Sequence, residues 1–357
     1  MELIKENTAV ICLSPYSGGM ELDSIKLAKK LSYYSDITVI AKDGYFIDSK
    51  KDTYVGYNNI KLRTINFKSN LSLSIILEVR KIILENSIKN VIFFGASELK
   101  SLYFSFFNIE INLIVRHGTT KSSQKKDWFH KLIYSNVNYH VSICNHLLNN
   151  VRYIIPFGKN TQEKLIYSSL EFENVKHIPQ NKLTLLHIGR IASGKGQIDA
   201  IKACEILIKN DIDFIFNIVG GFDDGYEDYF MNFYNNCKYK DKINLMGFTS
   251  NIQEYIQKAD IFLFPSYGEG LSNSFLEAIS NNILCIAYNN TSFPELIDLG
   301  LYFKIIKNKD INELGNILLN VVNNLEEEIE KSNQNYNKCK ELFSLEKEIY
   351  SYMEILR

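Results

Sequence analysis

Short apolar runs alternate with longer stretches of helical spacing along the whole chain, and that alternation predicts its elements. Thr8 to Leu13 reads as a buried strand, followed by the turn Ser14-Pro15-Tyr16-Ser17-Gly18-Gly19. Apolar residues at 22, 25, 27, 28 and 31 then fit one helical face between Glu21 and Leu31. Further strands are predicted at 37–41, 60–67, 90–94, 112–115, 139–143 and 164–167, with a helix at 73–84. A polar break from Glu171 to Lys182, containing Pro179, precedes a second half with the same rhythm. Its strands fall at 183–188, 214–219, 243–245, 261–264 and 283–287; a helix spans 197–209, and 310–357 reads as wholly helical. Strands apolar on both faces, separated by helices, predict parallel sheets covered on two sides. No internal repeat or low-complexity tract interrupts the pattern.

The predicted fold class is α/β, with two facing Rossmann-like doubly wound domains and a cleft between them. The boundaries read as 1–172, 173–340, and a closing helix 341–357 that packs back toward the first domain. The 357-residue length agrees with two cores better than with one.

Two loops of the second half carry the richest chemistry. Gly189-Arg190-Ile191-Ala192-Ser193-Gly194-Lys195-Gly196 runs from a strand into a helix and nearly spells a phosphate-binding P-loop. Gly196 stands where the magnesium-binding hydroxyl belongs, which disfavours a nucleoside triphosphatase. Two cations beside glycines at a helix start still suit an anion. The alternative is a surface turn with two solvated cations. In the second loop, Pro265 to Ala278, Gly268 and Gly270 bracket Glu269, while Glu277 lies in the helix that follows. N–H groups around Leu271, Ser272 and Asn273 offer a further phosphate site. The plainer reading makes Ser274-x-x-Glu277 a capping box. In the first half, Gly18-Gly19 gives close backbone access at a strand-to-helix turn, and Arg116-His117-Gly118 ends a strand.

Composition narrows the classes. Six scattered cysteines with no CxxC pair read as free thiols in a reducing compartment, and the dispersed histidines suggest no metal site. Neither a signal peptide nor a membrane span is visible, so the expected location is cytoplasmic, at most peripheral at the inner face of the membrane. The near-neutral total hides an asymmetry. Residues 1–172 carry 22 Lys+Arg against 15 Asp+Glu, and the remainder 18 against 26. Within the basic half, Lys121, Lys125, Lys126 and Lys131 surround the only tryptophan, Trp128. This segment is either an ordinary solvated helix face or a reversible contact for an anionic membrane. Nucleic acid is disfavoured, because no groove-reading or base-stacking motif accompanies it.

Taken together, Gly18-Gly19, Arg116-His117-Gly118, Gly189-Arg190, Lys195-Gly196, Glu269-x7-Glu277 and Pro294-Glu295-Leu296 resemble the GT-B-fold retaining glycosyltransferases of family 4, also called glycosyl transferases group 1. The resemblance covers nearly the whole chain. It departs at Ser168-Ser169, where the family usually has Asn-Gly, and at Asn289 to Phe293, where glycines are frequent. It implies that Arg190 and Lys195 hold a donor diphosphate and Glu277 the ribose. Glu269 and the backbone after Gly270 would meet the transferred sugar, His117 would approach that sugar from the opposite domain, and Gly18-Gly19 would meet phosphate or acceptor. The implied catalytic set is His117, Arg190, Lys195 and Glu269. The implied donor contacts are Gly18, Gly19, Gly270, Leu271, Ser272, Asn273 and Glu277.

The implied enzyme needs no metal or cofactor. Its donor substrate is a nucleotide sugar, a UDP-sugar before a GDP- or other sugar, and its acceptor a glycan or lipid-linked saccharide. The implied setting is bacterial lipopolysaccharide, lipooligosaccharide or capsule assembly. The competing readings are a nucleotide-sugar-binding protein without transferase activity and a dinucleotide-dependent oxidoreductase. The missing GxGxxG fingerprint counts against the latter.

Overall fold

A computed structural model describes residues 6–16, 18–172, 177–249 and 251–356. The chain divides into two compact units, Met1–Ser169 with Leu345–Arg357, and Leu170–Ser344.

The first unit is built on seven parallel strands: β1 (Asn7–Cys12), β2 (Ile37–Lys42), β3 (Ile60–Ile65), β4 (Ile88–Phe94), β5 (Asn112–His117), β6 (Tyr139–Ser142) and β7 (Gln162–Leu165). Their order is β3-β2-β1-β4-β5-β6-β7. Side chains alternate across a strand, so the continuous apolar run of β1 feeds two cores. Ala9 and Ile11 pack with Ile75, Val79, Ile82 and Ile83 of the helix Leu73–Glu85, whose spacing makes a single apolar face. Val10 and Cys12 pack on the other side with Ile25 and Ala28 of the helix Gly19–Leu31.

That second core is completed from far along the chain. Ile349, Tyr352, Ile355 and Leu356 belong to it, the first two on the helix Leu345–Met353. Polar contacts seat this segment. Glu348 accepts from Lys30 at 2.8 Å and from both the Ser169 amide and hydroxyl, and Asn112 donates to the Ile355 carbonyl at 2.7 Å.

The second unit holds six parallel strands: β8 (Leu183–Ile188), β9 (Phe214–Val219), β10 (Ile243–Gly247), β11 (Ile261–Phe264), β12 (Leu284–Asn289) and β13 (Lys304–Lys307). The order is β10-β9-β8-β11-β12-β13. From β8 the chain builds outward on one side and then restarts at β11 on the other. The carboxyl ends of β8 and β11 therefore flank the topological switch point, where open α/β sheets place ligands. β1 and β4 flank the corresponding point of the first sheet.

The predicted elements are refined in four places. The helix expected over 197–209 tightens at Cys204, whose amide is shared between the Ala200 and Ile201 carbonyls, giving helices Gln197–Ala203 and Glu205–Lys209. The region from 310 onward comprises four helices, because Asn324 (φ −125°) and Phe343 (φ −116°) leave helical geometry and a further break falls at Asn333-Gln334. β13 had no sequence signal, with only two apolar residues between lysines. β5 runs on through Arg116 and His117, so both are strand residues.

Candidate functional site

The loop after β8 is held from below. Ile191 and Ala192 are buried, the Ile191 amide donates to the Gly221 carbonyl, and Gln197 donates to the Arg190 carbonyl at 2.7 Å. Gly220 lies so close that a Cβ there would stand 2.0 Å from the Gly189 carbonyl oxygen. The loop is thus pinned, with two cations raised from it. Arg190 pairs with Asp223 at 2.6 Å, in an exposed pair worth about 0–1 kcal/mol. Lys195, more sheltered, donates to Glu269 Oε1 at 2.6 Å.

The loops after β8 and β11 interlock. Gly196 has φ +76°, and a Cβ on it would fall 1.9 Å from the Pro265 carbonyl oxygen, so only glycine fits. The Tyr267 amide donates to Gly194 O. Ser266 donates to the same Glu269 oxygen that Lys195 meets, at 2.8 Å. The Glu269 amide donates to Thr291 Oγ1 at 3.0 Å, Thr291 donates to Asn290, and Asn290 donates to the Ser266 carbonyl at 2.8 Å. The segment where glycines are frequent in the family is thus a bracket for the Glu269 loop.

Beneath it, Tyr267 and Tyr288 both donate to Asp199 Oδ2, at 3.1 and 2.8 Å. Burial first, and then this carboxylate, push the Tyr267 phenol up to about 12. His187 on β8 donates from Nδ1 to the Leu263 carbonyl and stacks on Phe264. Burial lowers it to about 4, and its Nε2 has no partner among the described residues. Asp199, Tyr288 and His187 carried no sequence signal, because their partners lie 68 to 89 positions away.

The helix Asn273–Ser280 is capped by Ser272, whose hydroxyl accepts from the Phe275 amide. The expected Ser274-x-x-Glu277 box does not form. Ser274 sits inside the helix and donates to the Ile188 carbonyl at 3.0 Å, tying the helix to the end of β8. With the cap at Ser272, the first helical amides, at Asn273 and Ser274, have no intrahelical acceptor. Leu271 is buried, Gly270 is partly so, and Glu277 is partly buried in the middle of the helix.

In the first unit, Gly18 caps the helix Gly19–Leu31, and a Cβ on Gly19 would meet nothing within 4 Å. Arg116 is buried, binding Asp23 at 2.8 Å and the Ser168 hydroxyl at 2.6 Å. His117 is buried with both ring nitrogens engaged, Nε2 with His140 Nδ1 at 2.9 Å and Nδ1 with Lys121 Nζ at 3.1 Å. Burial, then Lys121, hold it well below the ordinary imidazole range. The basic segment is corrected at one position: Lys121 turns inward to His117. Lys126 and Lys131 are exposed, Lys125 is half-buried, and Trp128 is 76% exposed at the start of the helix Trp128–Tyr134.

All six cysteines are free thiols. Among the described residues, no group of three His, Cys, Asp or Glu is placed to hold a metal, and no helix is long and apolar enough to cross a membrane.

Residues 168–338, nearly the whole second unit, match the family described as glycosyl transferases group 1. The match to this family is confined to the second unit and its border. The chain is 28% identical over 145 residues to the capsular polysaccharide biosynthesis glycosyltransferase CapH of Staphylococcus aureus, covering 40% of each chain. It is 27% identical over 153 residues to an Escherichia coli UDP-Gal:alpha-D-GlcNAc-diphosphoundecaprenol alpha-1,3-galactosyltransferase, covering 42% of this chain and 39% of that one. It thus spans about two fifths of the length of these curated relatives. Anabaena HepE, solved in complex with UDP, superposes with a TM-score of 0.82 at 15% identity, over 98% of this chain and 99% of that one. The two Rossmann-like parallel-sheet units are those of the GT-B fold.

Proposed function

We propose that this protein is a retaining glycosyltransferase that moves a sugar from a nucleotide sugar to a glycan or lipid-linked saccharide, without a metal ion. The observation that carries the reading is the contact of Lys195 with Glu269 on interlocked loops at the switch point of the second sheet, with Arg190 raised from the same loop as Lys195. Cations fixed there stabilise the charge that grows on a departing nucleoside diphosphate, a gain realised mainly in the transition state. The diphosphate would take Arg190 from Asp223 and Lys195 from Glu269. That exchange frees the Glu269 carboxylate for hydroxyls of the transferred sugar. The amides after Gly270, at Leu271, Ser272 and Asn273, face phosphate or sugar, and Glu277 accepts from the ribose. Attack occurs on the face that the leaving group departs.

The first unit takes the acceptor, with Gly18-Gly19 giving close backbone access and His117 meeting the sugar. The donor base is assigned as uracil, supported by the UDP-Gal named for the E. coli relative and by the UDP complex of HepE. The setting is assembly of a bacterial surface polysaccharide such as lipopolysaccharide or capsule. The enzyme works in the cytoplasm against the inner face of the membrane, touched reversibly through Lys125, Lys126, Trp128 and Lys131.

A thermal-shift panel of UDP-, GDP-, ADP- and CMP-sugars tests the donor. A ligand at 100 times its Kd stabilises by about 2.7 kcal/mol, so a UDP-sugar should raise Tm clearly above the others. Lys195→Ala should lower kcat on the order of 100- to 1,000-fold with the melting curve nearly unchanged. Chelation should leave turnover intact. A flat panel, an unaffected K195A rate, or strict dependence on manganese would each break the reading at a different point.

A further inference from the structure

The loop that follows β5 is folded back over the strand it leaves and clamped to the helix Asn145–Ile154. The Asn150 carboxamide accepts from the Lys121 amide and donates to the Lys121 carbonyl, both at 2.9 Å. Thr120 bonds His146 at 3.0 Å, and the Lys125 amide donates to the Ile154 carbonyl at 2.9 Å. A side chain that grips both polar groups of one peptide residue fixes that residue's direction. The Lys121 ammonium is aimed at His117 Nδ1, 3.1 Å away.

The hydrogens in this cluster can be assigned by elimination. An ammonium has only donors, so His117 Nδ1 must present its lone pair. The neutral ring then carries its hydrogen on Nε2 and gives it to His140 Nδ1 at 2.9 Å. His140 in turn carries its hydrogen on Nε2, which is buried without a partner among the described residues, in a ring walled by Tyr134 and Phe157. The chain of donors runs one way, from Lys121 through His117 to His140. The groups that bear on His117 electrostatically are Lys121, His140 and Lys125, so no acid competes to charge the ring. An unpartnered N–H inside and an ammonium with no acid in its reach both cost stability. Folding alone does not account for either.

We propose that Lys121 and His140 are positioning residues that hold His117 as its neutral Nε2–H tautomer. A sugar hydroxyl then takes the place of Lys121 at His117 Nδ1, giving its hydrogen to that lone pair and accepting in turn from the displaced Lys121 ammonium. A hydroxyl both gives and accepts, so this pair selects it over a ketone, an ether or a carboxylate. The inference rests on the glycosyltransferase reading for the identity of the hydroxyl, and on the geometry of the first unit for the tautomer.

The test uses the full chain labelled with 15N-histidine, with His117 and His140 signals assigned through His→Gln variants. Long-range proton–nitrogen spectra from about pH 5.5 to about pH 7.5 should show both rings neutral, protonated on Nε2 and invariant. Lys121→Met should release the His117 tautomer or let the ring titrate, and lower kcat tenfold or more. Lys121→Arg should restore the tautomer and much of the rate. A His117 ring that is charged or Nδ1-protonated in the wild type overturns the proposal, as does an unchanged tautomer in K121M. Absence of sugar transfer by the wild type would count against the proposed function instead, while the spectra still decide the positioning.

Discussion

At the scale of single residues, a glycine and a lysine of the loop after β8 matter for opposite reasons. Gly196 carries structure. Its positive φ and the Pro265 carbonyl leave no room for a Cβ. Gly196→Ala should cost on the order of 3 kcal/mol, or roughly 6–12 °C in melting temperature, readable by calorimetry. Gly19→Ala has open space around its Cβ and should melt like the wild type. Lys195 carries chemistry in the proposed reading. Its ammonium is partly solvated, so its removal should be felt in turnover far more than in the melting curve.

At the scale of elements, the helix Trp128–Tyr134 shows how one segment is divided between two tasks. Asp127 caps it by accepting from the Phe129 and His130 amides at 3.1 Å each. The His130 amide, and after it the His130 ring, hold its carboxyl below the usual range. Lys121, upstream, is committed inward, whereas Lys126 and Lys131 stay outside with Trp128. Charge reversal at Lys125, Lys126 and Lys131 should therefore weaken binding to anionic vesicles, at about 1 kcal/mol per cation in low salt, as read by flotation. Unchanged flotation would remove the membrane contact.

The same scale explains what could be read from sequence. The loops at 189–196 and 265–278 were legible because glycines, cations and acids cluster there within a dozen residues. The Thr291–Asn290–Ser266 bracket and the Asp199–Tyr288 contact were not, since they join residues 22 to 89 positions apart. β13 and the breaks at Asn324 and Phe343 escaped because packing decides them against weak local pattern.

At the scale of the whole molecule, buried neutral histidines in both units couple stability to acidity. Burial and Lys121 lower His140 from 6.5 to about 3, burial lowers His187 to about 4, and His117 is lowered as well. As pH falls below about 6.5, the unfolded chain binds protons that the folded chain refuses, so stability declines with falling pH. Each histidine contributes a slope of about 1.4 kcal/mol per pH unit, until its folded pKa is passed. Denaturant melts between about pH 7 and pH 4.5 should show the loss, and His187→Gln should flatten part of it for the second unit.

The seating of residues 345–356 in the first unit bears on the order of events during synthesis. Residues up to Ser169 emerge from the ribosome without Ile349, Tyr352, Ile355 and Leu356, so one face of their sheet is still uncovered. The 175 residues from Leu170 to Ser344 come next, taking roughly 10 to 35 s at bacterial elongation rates. Vectorial folding is thus inverted. The unit made second can close first, while the unit made first waits half-finished, the interval in which a chaperone has most to protect.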